Sequence, residues 1–131
     1  SFVGSAKDSD VAIIEGQGAL LHPVSTATLP LLRGSCPTDL IFCHKAHIDA
    51  LKDYPEIKLP PLKDFLELYQ NLSSVMGTFP MPQIAAVHLN TTVLEDPEAY
   101  RCCEQLQNEL GIPVVDLLRM DPSPVIARLL C

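Results

Sequence analysis

The sequence predicts an α/β fold, three-layered, with a parallel sheet and helices on both faces. Two observations carry that expectation. Short apolar runs rich in β-branched residues recur along the 131 residues, and amphipathic helical patterns fall between them. This alternation marks βαβ units, whose crossover helices cover both faces of a parallel sheet. Size and composition agree. A chain of this length builds one domain, expected over residues 1–131, and 47% hydrophobic with 19% charged residues is globular rather than disordered.

The elements follow in order. Val11–Ile14, VAII, is the first apolar run and reads as a strand buried on both faces. Between Ala19 and Ser35 the pattern is ambiguous, with room for a short helix broken or begun at Pro30. Asp39–His44 is a second strand, and Lys52–Pro61, KDYPEIKLPP, reads as a proline-rich surface connection. Leu62, Phe65, Leu66, Tyr69, Leu72 and Met76 then recur at helical spacing, with Pro61 near the start and Gly77 as the stop. Ile84–Asn90 is the third strand. The next helix is capped by Asp96, carries Pro97 in its first turn and ends at Gly111. Ile112–Leu118 is the fourth strand, its Pro113 at the start where a ladder tolerates it. Ser123 caps a final helix, with Pro124 behind it.

The net charge of −7 argues against nucleic acid or an anionic membrane as partner, although small anions bind to backbone N–H groups without a basic surface. No apolar run approaches the length of a membrane span, and there is no signal peptide. The five cysteines include no CxxC pair, which fits neither a disulfide framework nor a zinc site. A reducing, cytoplasmic setting is expected. The opening SFVGSAKDSD has no obvious first strand, so the chain is expected to be a fragment of a longer protein.

Ligands of open parallel sheets bind beyond the carboxyl ends of the strands. Those ends deliver Glu15-Gly16-Gln17-Gly18, then His44 and Lys45, then His88, Asn90, Thr91 and Thr92, and finally Asp116 and Arg119. A glutamate directly after an apolar strand suits a carboxylate that holds magnesium or its waters beside phosphates. Gly16 and Gly18 let the backbone approach a ligand, and Gln17 can hydrogen-bond it. Equally, Glu15 caps a turn and the glycines only bend the chain. His22 and His44 are candidate proton-transfer groups, or imidazoles that merely fix their own loops. Asn90 either meets a base or turns the chain. Arg119 either clamps an anion or lies on the surface, and Asp116 has it as a partner three residues on. The phosphate-cradling pattern GxxxxGK[ST] is absent, and so is the GxSxG elbow.

With these residues assembled, the chain resembles the C-terminal domain of the domain-of-unknown-function 1611 family. VAIIEGQGALLHP, TLPLLRGSCPTDLIFCHKA, AAVHLNT and GIPVVDLLR carry the resemblance in order over nearly the whole length. Some members of that family are described as D-glutamate N-acetyltransferases, and its C-terminal domain is similar to the P-loop fold of dethiobiotin synthetase. The resemblance implies that the chain is the C-terminal part of a two-domain protein. It implies a P-loop NTPase-like fold, here N-terminally incomplete because the phosphate loop would precede this segment. It implies Glu15 as the catalytic, metal-side carboxylate. Gly16, Gln17, Gly18, His22 and Pro23 match the EGQG…HP signature. Asn90 and Thr91 match the residues after the third strand, and Asp116 and Arg119 those after the fourth. The cofactors it implies are Mg2+ with ATP or acetyl-CoA, and the substrate is amino-acid-like.

Three functions follow as expectations. The first is an enzyme fragment, inactive alone, whose parent transfers an acyl group to an amino acid or acts as an ATP-dependent ligase or kinase. The second is a nucleotide-gated regulatory module, and the third a structural domain whose polar edge serves assembly. An incomplete sheet leaves apolar edge or face exposed, so self-association as a homo-oligomer is expected.

Overall fold

The computed structural model of the chain describes residues 10–16 and 18–130. Its centre is a three-stranded parallel sheet in the order β1 (Asp39–Lys45), β4 (Gln83–Asn90), β5 (Val114–Val115). The α/β expectation holds, with helices on both faces. Helices α2 (Leu62–Ser74) and α3 (Asp96–Leu110) cover one face, where Phe42, Val87, Leu89 and Val114 meet Phe65, Leu66, Ala99 and Cys103. Phe42, Phe65 and Tyr69 pack edge to face there, with ring centroids about 5 Å apart. Helix α4 (Ser123–Leu130) covers the other face, setting Val125 and Leu129 on Ala86 and Val115. It reaches β4 and β5 but not β1, whose Ile41 stays 43% exposed.

Among the described residues, strand β1 is an edge strand whose face away from α2 and α3 is open. The β1–β4 register slips once, since Leu40 pairs with Ile84 but Ile41 with Ala86, so β4 carries one extra residue, Ala85. Beyond the slip Phe42 pairs with Val87, Cys43 with His88, His44 with Leu89 and Lys45 with Asn90.

Several expectations are corrected. Val11–Ile14 is not a buried strand: it pairs with no described residue and Ile13 is 91% exposed. A strand exists only where its N–H and C=O groups meet a neighbour's, and composition cannot supply that neighbour. The fourth run contracts to Val114–Val115. The connection Lys52–Pro61 instead contributes to an antiparallel hairpin, β2 (Ala50–Leu51) with β3 (Tyr54–Lys58). The ambiguous stretch contains α1 (Thr28–Ser35), held to α2 by Arg33, which donates to the Ser73 carbonyl at 2.8 Å.

Helix ends shift for local reasons. Helix α2 stops at Ser74, because Val75 and Met76 already adopt the left-handed conformation, ahead of Gly77. Asp96 does not cap α3, since its carboxylate accepts from Arg119 instead, while Pro97 sits in the first turn and Gly111 ends the helix as expected. Ser123 is not the acceptor at the start of α4. Asp121 takes that role, accepting from the Ser123 N–H and hydroxyl. Among the described residues, no helix is long and apolar enough to cross a membrane.

Candidate functional site

Alternation along a strand sends successive side chains to opposite faces. In β1 this puts Phe42 and His44 against the helices, and Ile41, Cys43 and Lys45 on the open face. Register then sets His88 beside Cys43, and Asn90 beside Lys45, at the carboxyl ends of two adjacent parallel strands. Glu15 joins them from the preceding segment. Its carboxylate lies close enough to raise the Cys43 thiol pKa, second only to burial as a cause. Glu15 itself is exposed and forms no hydrogen bond or ion pair with the described residues. Burying an unpaired carboxylate would cost free energy, and exposure of Glu15 avoids that cost.

Each of these groups is poised in a definite way. His88 Nδ1 lies 3.2 Å from the Leu117 N–H and 3.3 Å from the Val115 carbonyl, so the backbone at the end of β5 holds the ring, and the tautomer sets which of these two contacts is the hydrogen bond. Asn90 Oδ1 accepts from the Thr92 N–H at 3.1 Å and the Thr92 hydroxyl at 2.7 Å, so its NH2 group is left to donate. Lys45 is exposed and has no acidic partner among the described residues. The open end of β1 thus offers one carboxylate, one ammonium group, an imidazole and an amide donor.

The remaining strand-end residues are committed elsewhere. Asp116 is 1% exposed and its Oδ2 accepts from both the N–H and the hydroxyl of Thr91, while Oδ1 accepts from the Leu118 N–H. Burial pushes this carboxyl up, but the hydrogen bonds from Thr91 and Leu118 outweigh it and hold the pKa below the ordinary carboxylate value. Arg119 lies 3.8 Å from Asp116 and also donates to Asp96 at 2.7 Å and to the Leu94 carbonyl at 3.0 Å. The anticipated Asp116–Arg119 pairing is present. As a cluster it ties the β4 and β5 ends to the start of α3, and it leaves fully buried Thr91 and Asp116 no open surface for a ligand.

The glycine loop is shaped by contact. Gly18 has φ +89, and a Cβ there would meet Ser25 Oγ at 2.1 Å, so no other residue fits without a shift. A Cβ on Gly16 would come within 3.2 Å of Leu31. Gln17 lies outside the described residues. His22 packs edge-on against Tyr54, with ring centroids 5.6 Å apart, and its backbone is part of two turns. His44 is displaced from the expected site by alternation, onto the helix-covered face. Burial lowers its pKa there.

Of the strand ends read from the sequence, those of β1 and β4 are strand ends in the structure and that before Glu15 is not, and the i, i+2 pairs Cys43 with Lys45 and His88 with Asn90 are a further signal in the spacing. That spacing was visible, whereas the register that brings the pairs together was not. Among the described residues no group of three or more His, Cys, Asp or Glu side chains converges as a metal cage.

The chain matches the model of a P-loop domain described as "Domain of unknown function (DUF1611_C)" over residues 2–126. Two curated relatives bear the name D-glutamate N-acetyltransferase. That of Pseudoalteromonas sp is 31% identical over 125 residues, 95% of this chain and 37% of the relative. That of Tritonibacter scottomollicae is 33% identical over 112 residues, 82% of this chain and 32% of the relative. The crystal structure of a DUF1611 family protein from Anabaena variabilis ATCC 29413 superposes with a TM-score of 0.92 at 36% identity, covering 97% of this chain and 37% of that one. The chain therefore spans about a third of the length of the proteins it matches.

Proposed function

The chain belongs to the DUF1611 family, as its P-loop domain, and we propose that it forms part of an amino-acid N-acyltransferase resembling the D-glutamate N-acetyltransferases. One observation supports the reading above the others. The carboxyl ends of β1 and β4 set Lys45 beside Asn90 and Cys43 beside His88, and the exposed carboxylate of Glu15 is near enough to Cys43 to raise its thiol pKa. A phosphate-bearing acyl donor, acetyl-CoA, would present its anionic groups to the Lys45 ammonium, the His88 imidazole and the Asn90 NH2 group. His22, in the EGQG…HP loop, is the base assigned to the incoming amine of an amino acid such as D-glutamate.

Magnesium fits these residues in one limited sense. Mg2+ is commonly held by one or two carboxylates together with waters and phosphate oxygens rather than by an all-protein cage. Glu15, free of internal partners among the described residues, can supply that carboxylate. The ion would neutralise phosphate charge. Gly16 and Gly18 would bring the backbone close to the same ligand, and Asp116 and Arg119 would hold the strand ends in place rather than touch it.

The test is acetyl transfer from acetyl-CoA to D-glutamate by the full-length protein, with ATP hydrolysis assayed in parallel. Glu15→Gln is expected to lower transfer by roughly tenfold or more while leaving the circular dichroism spectrum unchanged. Full activity in that variant removes the metal role. ATP turnover without acetyl transfer would instead indicate an ATP-dependent ligase or kinase, or a nucleotide-gated module.

A further inference from the structure

Where the end of β1 meets the start of α2 and the middle of α3, the surface forms an open cavity of about 290 Å³. It lies on the helix-covered side of the sheet, away from the open face that carries Cys43 and His88, because His44 alternates with Cys43. Its floor is apolar, formed by Leu62, Leu89 and Leu106. Its rim carries His44, His47 and Glu109, with Gln105 beside them. His47 holds φ +57, an uncommon conformation for a residue with a side chain, and one that tends to persist at ligand clamps.

The charge pattern narrows the ligand. Glu109 is the one carboxylate among the residues lining the cavity, and no lysine or arginine joins it. Anionic phosphates and carboxylates are therefore disfavoured, which separates this cavity from any acyl-donor or glutamate subsite. Burial favours the neutral imidazole of His44, which then offers one donor and one acceptor nitrogen. We infer that this cavity binds a small amine with an apolar body, its ammonium group against Glu109, its polar edge between the two imidazoles and its apolar part on the leucine floor. The volume suits a single ring or a short alkyl chain rather than a nucleotide. The inference does not depend on the proposed acyl transfer, because the two use opposite faces of the sheet.

The experiment is an NMR titration of the full chain with phenethylamine and, separately, with its anionic counterpart 3-phenylpropionate. Phenethylamine is expected to shift the imidazole signals of His44 and His47 and the methyl signals of Leu62 and Leu106, leaving His88 unmoved. Glu109→Gln should weaken binding by roughly two- to fivefold, the range for one exposed charge pair. Leu106→Trp, which fills the cavity, should abolish it. Equal binding of the carboxylate, shifts centred on His88, or unchanged affinity in Glu109→Gln would each overturn the inference. Since Glu109 is exposed, that last variant remains decisive even if Leu106→Trp does not fold.

Discussion

The two ends of the sheet's carboxyl edge carry similar side chains and use them in opposite ways. At β4 and β5, Asp116, Thr91 and Arg119 satisfy one another and the surrounding backbone. At β1, Glu15 and Lys45 make no such bonds with the described residues, and neighbouring Asn90 keeps its amide NH2 to donate. A polar residue at a strand end is therefore not in itself a sign of a ligand. What distinguishes a site from a brace is whether the chain has already met that residue's hydrogen-bonding capacity.

The largest expected break in this contrast is Asp116→Ala. It would strand the Thr91 N–H and hydroxyl, the Leu118 N–H and part of the Arg119 charge inside the fold. A loss of about 3–5 kcal/mol is expected from urea denaturation. Gly18→Ala should come next, at about 1–3 kcal/mol in the same assay, because it forces a side chain onto Ser25 in a left-handed conformation.

Acid should erode stability in two windows. The His44 pKa is depressed below its ordinary value of 6.5, so its contribution is full above that value and declines as pH falls below it. The Asp116 pKa lies below its ordinary value of 3.8, so its contribution persists to lower pH and is lost as pH falls through the depressed value. Denaturation midpoints measured across the acid range should show both phases, and Asp116→Asn should remove the lower one. The smallest effects are expected at β1. Glu15→Gln and Lys45→Ala should each change stability by about 0.5 kcal/mol or less, even where they impair ligand binding. A larger loss at either residue would make the open end a brace as well.

Much of this was legible in the sequence, and the failures have physical causes. The runs LIFC and IAAVHL are strands because their apolar character is sustained and their neighbours lie within the chain. VAII has the same composition but no partner strand among the described residues, and strand formation is a property of pairs. The β2–β3 hairpin was hidden because Pro55 and the charged residues around it mark a loop, although Pro55 belongs to a two-stranded ribbon with little ladder to disturb. The Asp116–Arg119 relation was readable from spacing alone, whereas the part played by Thr91 was not, since it reaches across 25 residues. His44 shares the carboxyl end of β1 with Lys45 but faces the helices, a distinction that position at a strand end does not carry.

The surplus alanine in β4 has a larger effect than its size suggests. Before Ala85, Ile84 shares the helix-covered face with Leu40, and after it Val87 and Leu89 take over that role. Were this extra residue not absorbed by the bulge, ordinary alternation after it would reverse the parity of everything downstream. His88 and Asn90 would turn onto the face packed by α2 and α3, while Val87 and Leu89 would leave it. The chemistry available at this edge thus depends on a count of residues, odd or even, as much as on which residues they are.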